Sequence, residues 1–172
     1  MGNFVRGVIV GALALAAAAY AYAHFGFIDF RADQGPSRLE EDVLGSAMDK
    51  STERQAPQQK NPLSPTQENL LAGAHLYRDK CSDCHGGPAN PNSDYGRSFN
   101  PPAPQFMKQA PDMPENQNFY IIKHGVRWTA MPAWGGIMTD SEIWQLVALL
   151  SRFPQLPPGV SDELKKAVAA AK

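Results

Sequence analysis

A chain of 172 residues holds at most one ordinary domain plus attachments, since a domain usually takes about 100–200 residues, and a large multidomain enzyme is excluded. Hydrophobic residues make up 43% and charged residues 19%, near the globular average, while a formal net charge of −1 provides no basic stripe to neutralise phosphates, so nucleic acid is set aside as a partner. The 15 prolines exceed the usual share of ~5% and imply stiffened loops, and the only cysteines, Cys81 and Cys84, are too few and too close to staple a secreted fold, which leaves them to chemistry.

No charged residue falls between Gly7 and Ala23, and apolar character continues through Phe25, Phe27 and Ile28 with only His24 interrupting. At about 1.5 Å per residue, Gly7 to Ile28 makes a helix of about 33 Å, against roughly 30 Å of bilayer hydrocarbon. Residues 1–30 are read as a membrane anchor. Arg6 and the amino terminus lie on the cytoplasmic side by the positive-inside rule, and the rest of the chain on the periplasmic side of a bacterial inner membrane. A cleaved signal segment stands beside this reading, because Ala21-Tyr22-Ala23 matches a small-x-small cleavage site and cleavage would leave a soluble periplasmic protein.

Residues 31–63 mix charges with Gln and Pro and keep apolar spacing only at Leu39, Val43, Leu44, Ala47 and Met48. They read as a polar tether with one short amphipathic helix, which either gives a folded domain reach or packs on that domain. The folded domain is expected over residues 64–158. Its first helix opens with Ser64 as N-cap, Pro65 at N1 and Gln67 at N3, and carries Leu70, Ala74 and Tyr77 on one face. A second helix runs from Glu115 to His124 and closes at Gly125, with Phe119, Tyr120 and Ile122 near its apolar side. A third opens at Thr139 with Glu142 completing a capping box, places Ile143, Leu146, Val147 and Leu150 at helical spacing, and meets Pro154 soon after its end.

Seven of the fifteen prolines lie between Pro88 and Pro114, a stretch expected to be neither helix nor sheet. No segment alternates with period two, so the fold class is all-α with one long loop. Residues 159–172, rich in alanine with Lys165, Lys166 and Lys172, read as a weakly amphipathic, partly frayed helical tail. Three helices and a proline-rich loop leave a thin apolar core, which something else must fill.

Cys81-Ser82-Asp83-Cys84-His85 is a C-x-x-C-H motif, which serves for covalent haem attachment. Two cysteines three apart at the mouth of a helix present their sulfurs to the two vinyl groups on one porphyrin edge, and the adjacent histidine is then aimed at the iron. The other readings are a redox dithiol and half of a zinc site. The first wants a βαβ context that is absent, and the second wants four ligands where His75, His85 and His124 are the only histidines outside the anchor. One haem c, bound covalently, is the expected cofactor.

With that motif in place, residues 64–158 resemble a monohaem class I cytochrome c, here in a membrane-anchored form. Gly73 and Tyr77 precede Cys81 at four-residue steps, as a glycine and an aromatic do in that family. Trp144, Leu146, Val147 and Leu150 are placed on a last helix that would cross the first. The resemblance implies a small helical domain wrapped around one haem, with His85 and a methionine as axial ligands of the iron. Met131-Pro132-Ala133-Trp134-Gly135 fits the family's methionine loop; Met107, Met113 and Met138 are its rivals. Asn100-Pro101-Pro102-Ala103-Pro104 either places a carbonyl on the other ring nitrogen of His85 or only stiffens the loop, and Pro102 is taken into the haem surroundings. Arg97, Lys123, Arg127 and the Trp128 indole N–H are candidates for the haem propionates, with solvation as the reading beside each. His124 is read as a cation at a helix C-terminus and His75 as a surface residue.

The resemblance implies a single-electron carrier rather than an enzyme. It would take electrons from a respiratory or photosynthetic donor, a quinol-oxidising complex or a periplasmic dehydrogenase, and pass them to a terminal oxidase. Two readings stay open beside it. One is a fixed subunit of a larger membrane oxidoreductase, for which Gly2, Gly7, Gly11 and Ala16 to Ala19 offer small residues for helix packing. The other is a ligand-binding haem enzyme or sensor. Nearly balanced charges in the folded domain leave no strong field to mark a docking partner.

Overall fold

The uncharged, alanine-rich run from Gly7 to Ala23 makes most of α1 (Gly2–His24) in a computed structural model that describes residues 1–169. The chain divides into two units, Met1–Arg31 and the part from Ala32 onward. In the first, α1 buries no side chain. It ends where the Phe25 amide donates to the Ala21 carbonyl at 2.9 Å and Gly26 takes a φ of 77°. At roughly 1.5 Å per residue α1 is about 34 Å long, which fits a membrane anchor, and a signal segment shares that character.

The second unit opens with a helical run over much of the expected tether. Ser37 caps α2 (Arg38–Glu40) in a capping box with Glu40, the chain passes through a π turn at Glu41–Gly45, and α3 (Ser46–Gln55) continues it. Of the two roles open to this segment the packed one is found. Thr52 and Ala56 are buried, the Asn116 side chain donates to the Pro57 carbonyl at 3.0 Å, and the Asn61 side chain donates to the Trp144 carbonyl at 3.0 Å.

The first helix of the expected domain, α4 (Gln67–Lys80), starts later than Ser64. Thr66 is the N-cap, its hydroxyl accepting from the Asn69 amide at 3.3 Å. Ser64 instead offers its carbonyl to the Asn69 side chain at 2.9 Å, which leaves Pro65 ahead of the cap rather than at N1. At the crossing of α4 with α8 (Asp140–Leu150), a Cβ on Gly73 would overlap the Gln145 carbonyl. Leu70, Ala74 and Tyr77 share one buried cluster there with Ile143, Leu146 and Leu149. The Thr139 and Glu142 capping box of α8 forms as expected. α7 (Glu115–His124) docks on α8 by stacking Phe119 on Trp144 at 4.1 Å between ring centroids.

The tail is more than a frayed end. α9 (Pro158–Ala169) packs on α4 and buries Val160 and Leu164; Lys172 lies outside the described residues. Between Pro88 and Pro114, expected to hold no helix, the single turn α6 (Asp94–Arg97) forms because the buried Ser93 hydroxyl accepts from the Gly96 amide at 3.0 Å. With α5 (Ser82–His85), these elements give an all-helical chain with no β-strand among the described residues, only an isolated Gly87–Asn90 bridge.

Candidate haem site

α4 breaks at Cys81, whose φ of −123° leaves the helical region, and α5 restarts at once with the Cys84 and His85 amides donating to the Cys81 carbonyl at 3.2 and 2.9 Å. Gly86, at φ 81°, stops this turn. The left-handed backbone there suits glycine. The double break brings Cys81, Cys84 and His85 to the wall of one cavity of about 870 Å³. Tyr77 holds the turn from below. Its ring is fully buried against the edge of Phe153, and its hydroxyl donates to the Gly86 carbonyl at 2.6 Å. Burial pushes the phenol far above its ordinary pKa, so it stays a donor.

Both cysteines are unpaired thiols. Burial, with a smaller contribution from Cys84, pushes Cys81 up to about 12, and burial with Asp83 raises Cys84. Neither is the low-pKa thiolate that a redox dithiol uses. Among the described residues no group of three or more His, Cys, Asp or Glu side chains could hold a metal ion by itself, which leaves no zinc site around the motif.

His85 Nδ1 lies 2.8 Å from the Pro104 carbonyl. That oxygen can only accept, so Nδ1 carries the proton and Nε2 keeps its lone pair for a ligand. Burial lowers the imidazole pKa and the Pro104 bond opposes the shift. Phe106 stacks on the ring at 4.5 Å between centroids. Of the two roles open to the run Asn100 to Pro104, the carbonyl on the histidine is found, supplied by Pro104, while Pro102 lines the cavity.

Met131 reaches the same cavity from a loop tied to the end of α7. Gly125 turns the chain at φ 67°. The Val126 amide donates to the Met131 carbonyl at 3.1 Å, and the Thr129 hydroxyl accepts from the Met131 amide at 3.1 Å. The Trp134 and Gly135 amides return to the Ile122 and Lys123 carbonyls at 3.1 and 2.9 Å. Met138 is buried in the core away from the cavity, whereas Met107, Met113 and, from α3, Met48 also line it.

Arg97 and Trp128 do not join them. Arg97 pairs with Asp94 at the surface, and Trp128 is 79% exposed. Lys123 pairs with Asp140 at 2.7 Å, and Arg127 is exposed. Among the described residues the basic side chains that line the cavity are Lys80 and Lys108, neither of which the sequence singled out. Lys80 adjoins the motif and could have been suspected; Lys108 has no local signal.

Residues 68–150 match the family model described as cytochrome C oxidase, cbb3-type, subunit III. This segment is a cytochrome c domain. A cytochrome c domain holds a c-type haem covalently and carries electrons through it. The cavity fits that group: two unpaired thiols and an imidazole with a free Nε2 sit together on a largely apolar wall. A solved structure similar to the chain, the Kuenenia stuttgartiensis reducing HAO-like protein complex, is 24% identical with a TM-score of 0.42, over 52% of this chain and 45% of that one. The match spans less than half the length of that chain. No curated protein matches.

Proposed function

We propose that this protein is a single-electron carrier whose haem is attached through Cys81 and Cys84 and ligated by His85 and Met131. The observation that carries the reading is that a histidine with Nδ1 already bonded and a methionine in a multiply bonded loop line the same cavity as two unpaired thiols. Cys81 and Cys84 would hold the haem as thioethers, and His85 and Met131 would ligate its iron. The haem supplies a one-electron ferric/ferrous couple. Held by both His85 and Met131, the iron would have no place for a substrate and would serve electron transfer. Met/His ligation raises the reduction potential, which suits a place on the oxidising side of a respiratory or photosynthetic chain.

In this reading residues 64–158, completed by α9, form the electron-carrying unit on the periplasmic side. α1 serves as the membrane anchor, and a redox protein stands on either side as donor and acceptor. The second reading, a fixed subunit of a membrane oxidoreductase, is favoured by one observation: the matching family model describes an oxidase subunit. Purification in mild detergent separates the two, since a carrier elutes alone and a subunit elutes with its complex. For the ligand set, potentiometric titration of the haem-loaded protein is expected to give one single-electron wave, and Met131→Ala to move it to lower potential. An unmoved wave in Met131→Ala rejects Met131 as the ligand.

A further inference from the structure

Three prolines, Pro101, Pro102 and Pro104, surround the carbonyl that bonds His85, and none can donate a backbone hydrogen bond to hold its own segment in place. Backbone bonds fix the segment at Ala103, whose amide donates to Gly96 at 2.9 Å, and at Phe106, whose amide donates to His85 at 3.1 Å. The Lys108 and Gln109 amides also donate to the Gln105 carbonyl, and the Gln105 side chain ties the segment to the motif. Gln105 Nε2 donates to the Cys84 carbonyl at 3.0 Å and to the Ala103 carbonyl at 2.8 Å, while Oε1 accepts from the Ser93 amide at 2.7 Å. The amide orientation is unambiguous, because two of its partners can only accept and the third can only donate. Buried Ser93 extends the clasp, its hydroxyl donating to the Asp83 carbonyl. The proline segment is thereby tied to the backbone of the haem motif at Asp83 and Cys84, on either side of which stand Cys81 and His85.

We infer that Gln105 is a positioning residue for the iron's histidine ligand: it holds the Pro104 carbonyl on His85 Nδ1 and so sets the electron donation of that imidazole. The inference rests on the proposed ligation by His85. A firm Nδ1–H bond to a carbonyl makes the imidazole a stronger donor and favours the ferric state. Loosening it therefore raises the potential. The change expected is up to about tenfold in the ferric over ferrous preference, and tenfold is about 59 mV for one electron.

The test compares haem-loaded wild type with Gln105→Met, which removes the donors and the amide oxygen, and Gln105→Glu, which keeps an acceptor for the Ser93 amide but loses both donors. The midpoint potential and the solvent exchange of the paramagnetically shifted His85 Nδ1 proton are read in each. The expected result is a raised potential and faster exchange in both variants, with the methionine-to-iron charge-transfer band retained. Unchanged potential and exchange in a variant that loads haem overturn the inference and leave Gln105 as loop packing. Failure of both variants to load haem also overturns it, by assigning Gln105 to folding. A wild type without a shifted His85 Nδ1 proton removes the ligation reading itself, a failure visible before any variant is made.

Discussion

Tyr77 borders the cavity and Met138 lies in the core away from it, and their predicted losses differ in kind from those of the proposed ligands. Tyr77→Phe keeps the ring against Phe153 and removes the hydroxyl that serves the Gly86 carbonyl. An unsatisfied buried acceptor costs about 1–3 kcal/mol, so chemical denaturation should show a loss of that size. Met138→Ala opens a cavity in the core and should cost about 2–5 kcal/mol while leaving the reduction potential in place. A potential that follows Met138 in a redox titration would transfer the ligand role from Met131. That Cys81, Cys84, His85 and Met131 share one cavity wall follows from local signals: a fixed spacing, a proline and a pair of glycines. That Arg97 and Trp128 stand outside the cavity wall while Lys108 lines it was not legible, because which side chain of a long irregular loop faces a cavity depends on how that loop folds back, and no local pattern encodes that; Lys80, next to the motif, had a local signal.

At the scale of elements, the caps carry most of what could be read in advance. Thr139 and Glu142 form their capping box and Gly125 ends α7 as anticipated, because both devices are satisfied within one turn. Ser64 and Thr66 are both competent caps two residues apart, and the structure uses Thr66, with the Ser64 carbonyl held by the Asn69 side chain. α9 was not read as core because Val160 and Leu164, which it buries, stand in an Ala- and Lys-rich stretch with little apolar pattern. The Thr139 amide and hydroxyl hold the Glu142 carboxyl below its ordinary pKa. The capping box is therefore in place above the ordinary carboxylate pKa, and its stabilisation is lost as pH falls through the lowered value. Thr139→Ala with Glu142→Gln should flatten that acid limb in a pH series of thermal unfolding. At the crossing, Gly73→Val drives methyl groups into the Gln145 carbonyl. Overpacking of this kind costs about 1–3 kcal/mol or more, and the variant should unfold at lower denaturant than wild type.

For the whole molecule, the thin core and the large cavity have one cause: the haem completes the fold. Cys81→Ala with Cys84→Ala should give a chain without cooperative thermal unfolding by calorimetry, and a haem-free double variant that melts as sharply as wild type would show a self-sufficient core. The segment between α1 and α4 does more than connect, since α3 brings Met48 to the cavity wall and buries Thr52. Its role was left open by the sequence because few apolar residues mark its packed side. α1 predicts a protein that stays in the membrane fraction after salt washing with its N-terminus intact, whereas soluble protein beginning at His24 decides for a cleaved signal. The central claim, an iron closed on both sides by His85 and Met131, is tested most directly by mixing the reduced, haem-loaded protein with carbon monoxide. Wild type should leave its spectrum unchanged while Met131→Ala binds the gas; ready binding by wild type would contradict the closed site and turn the account toward a ligand-binding haem protein.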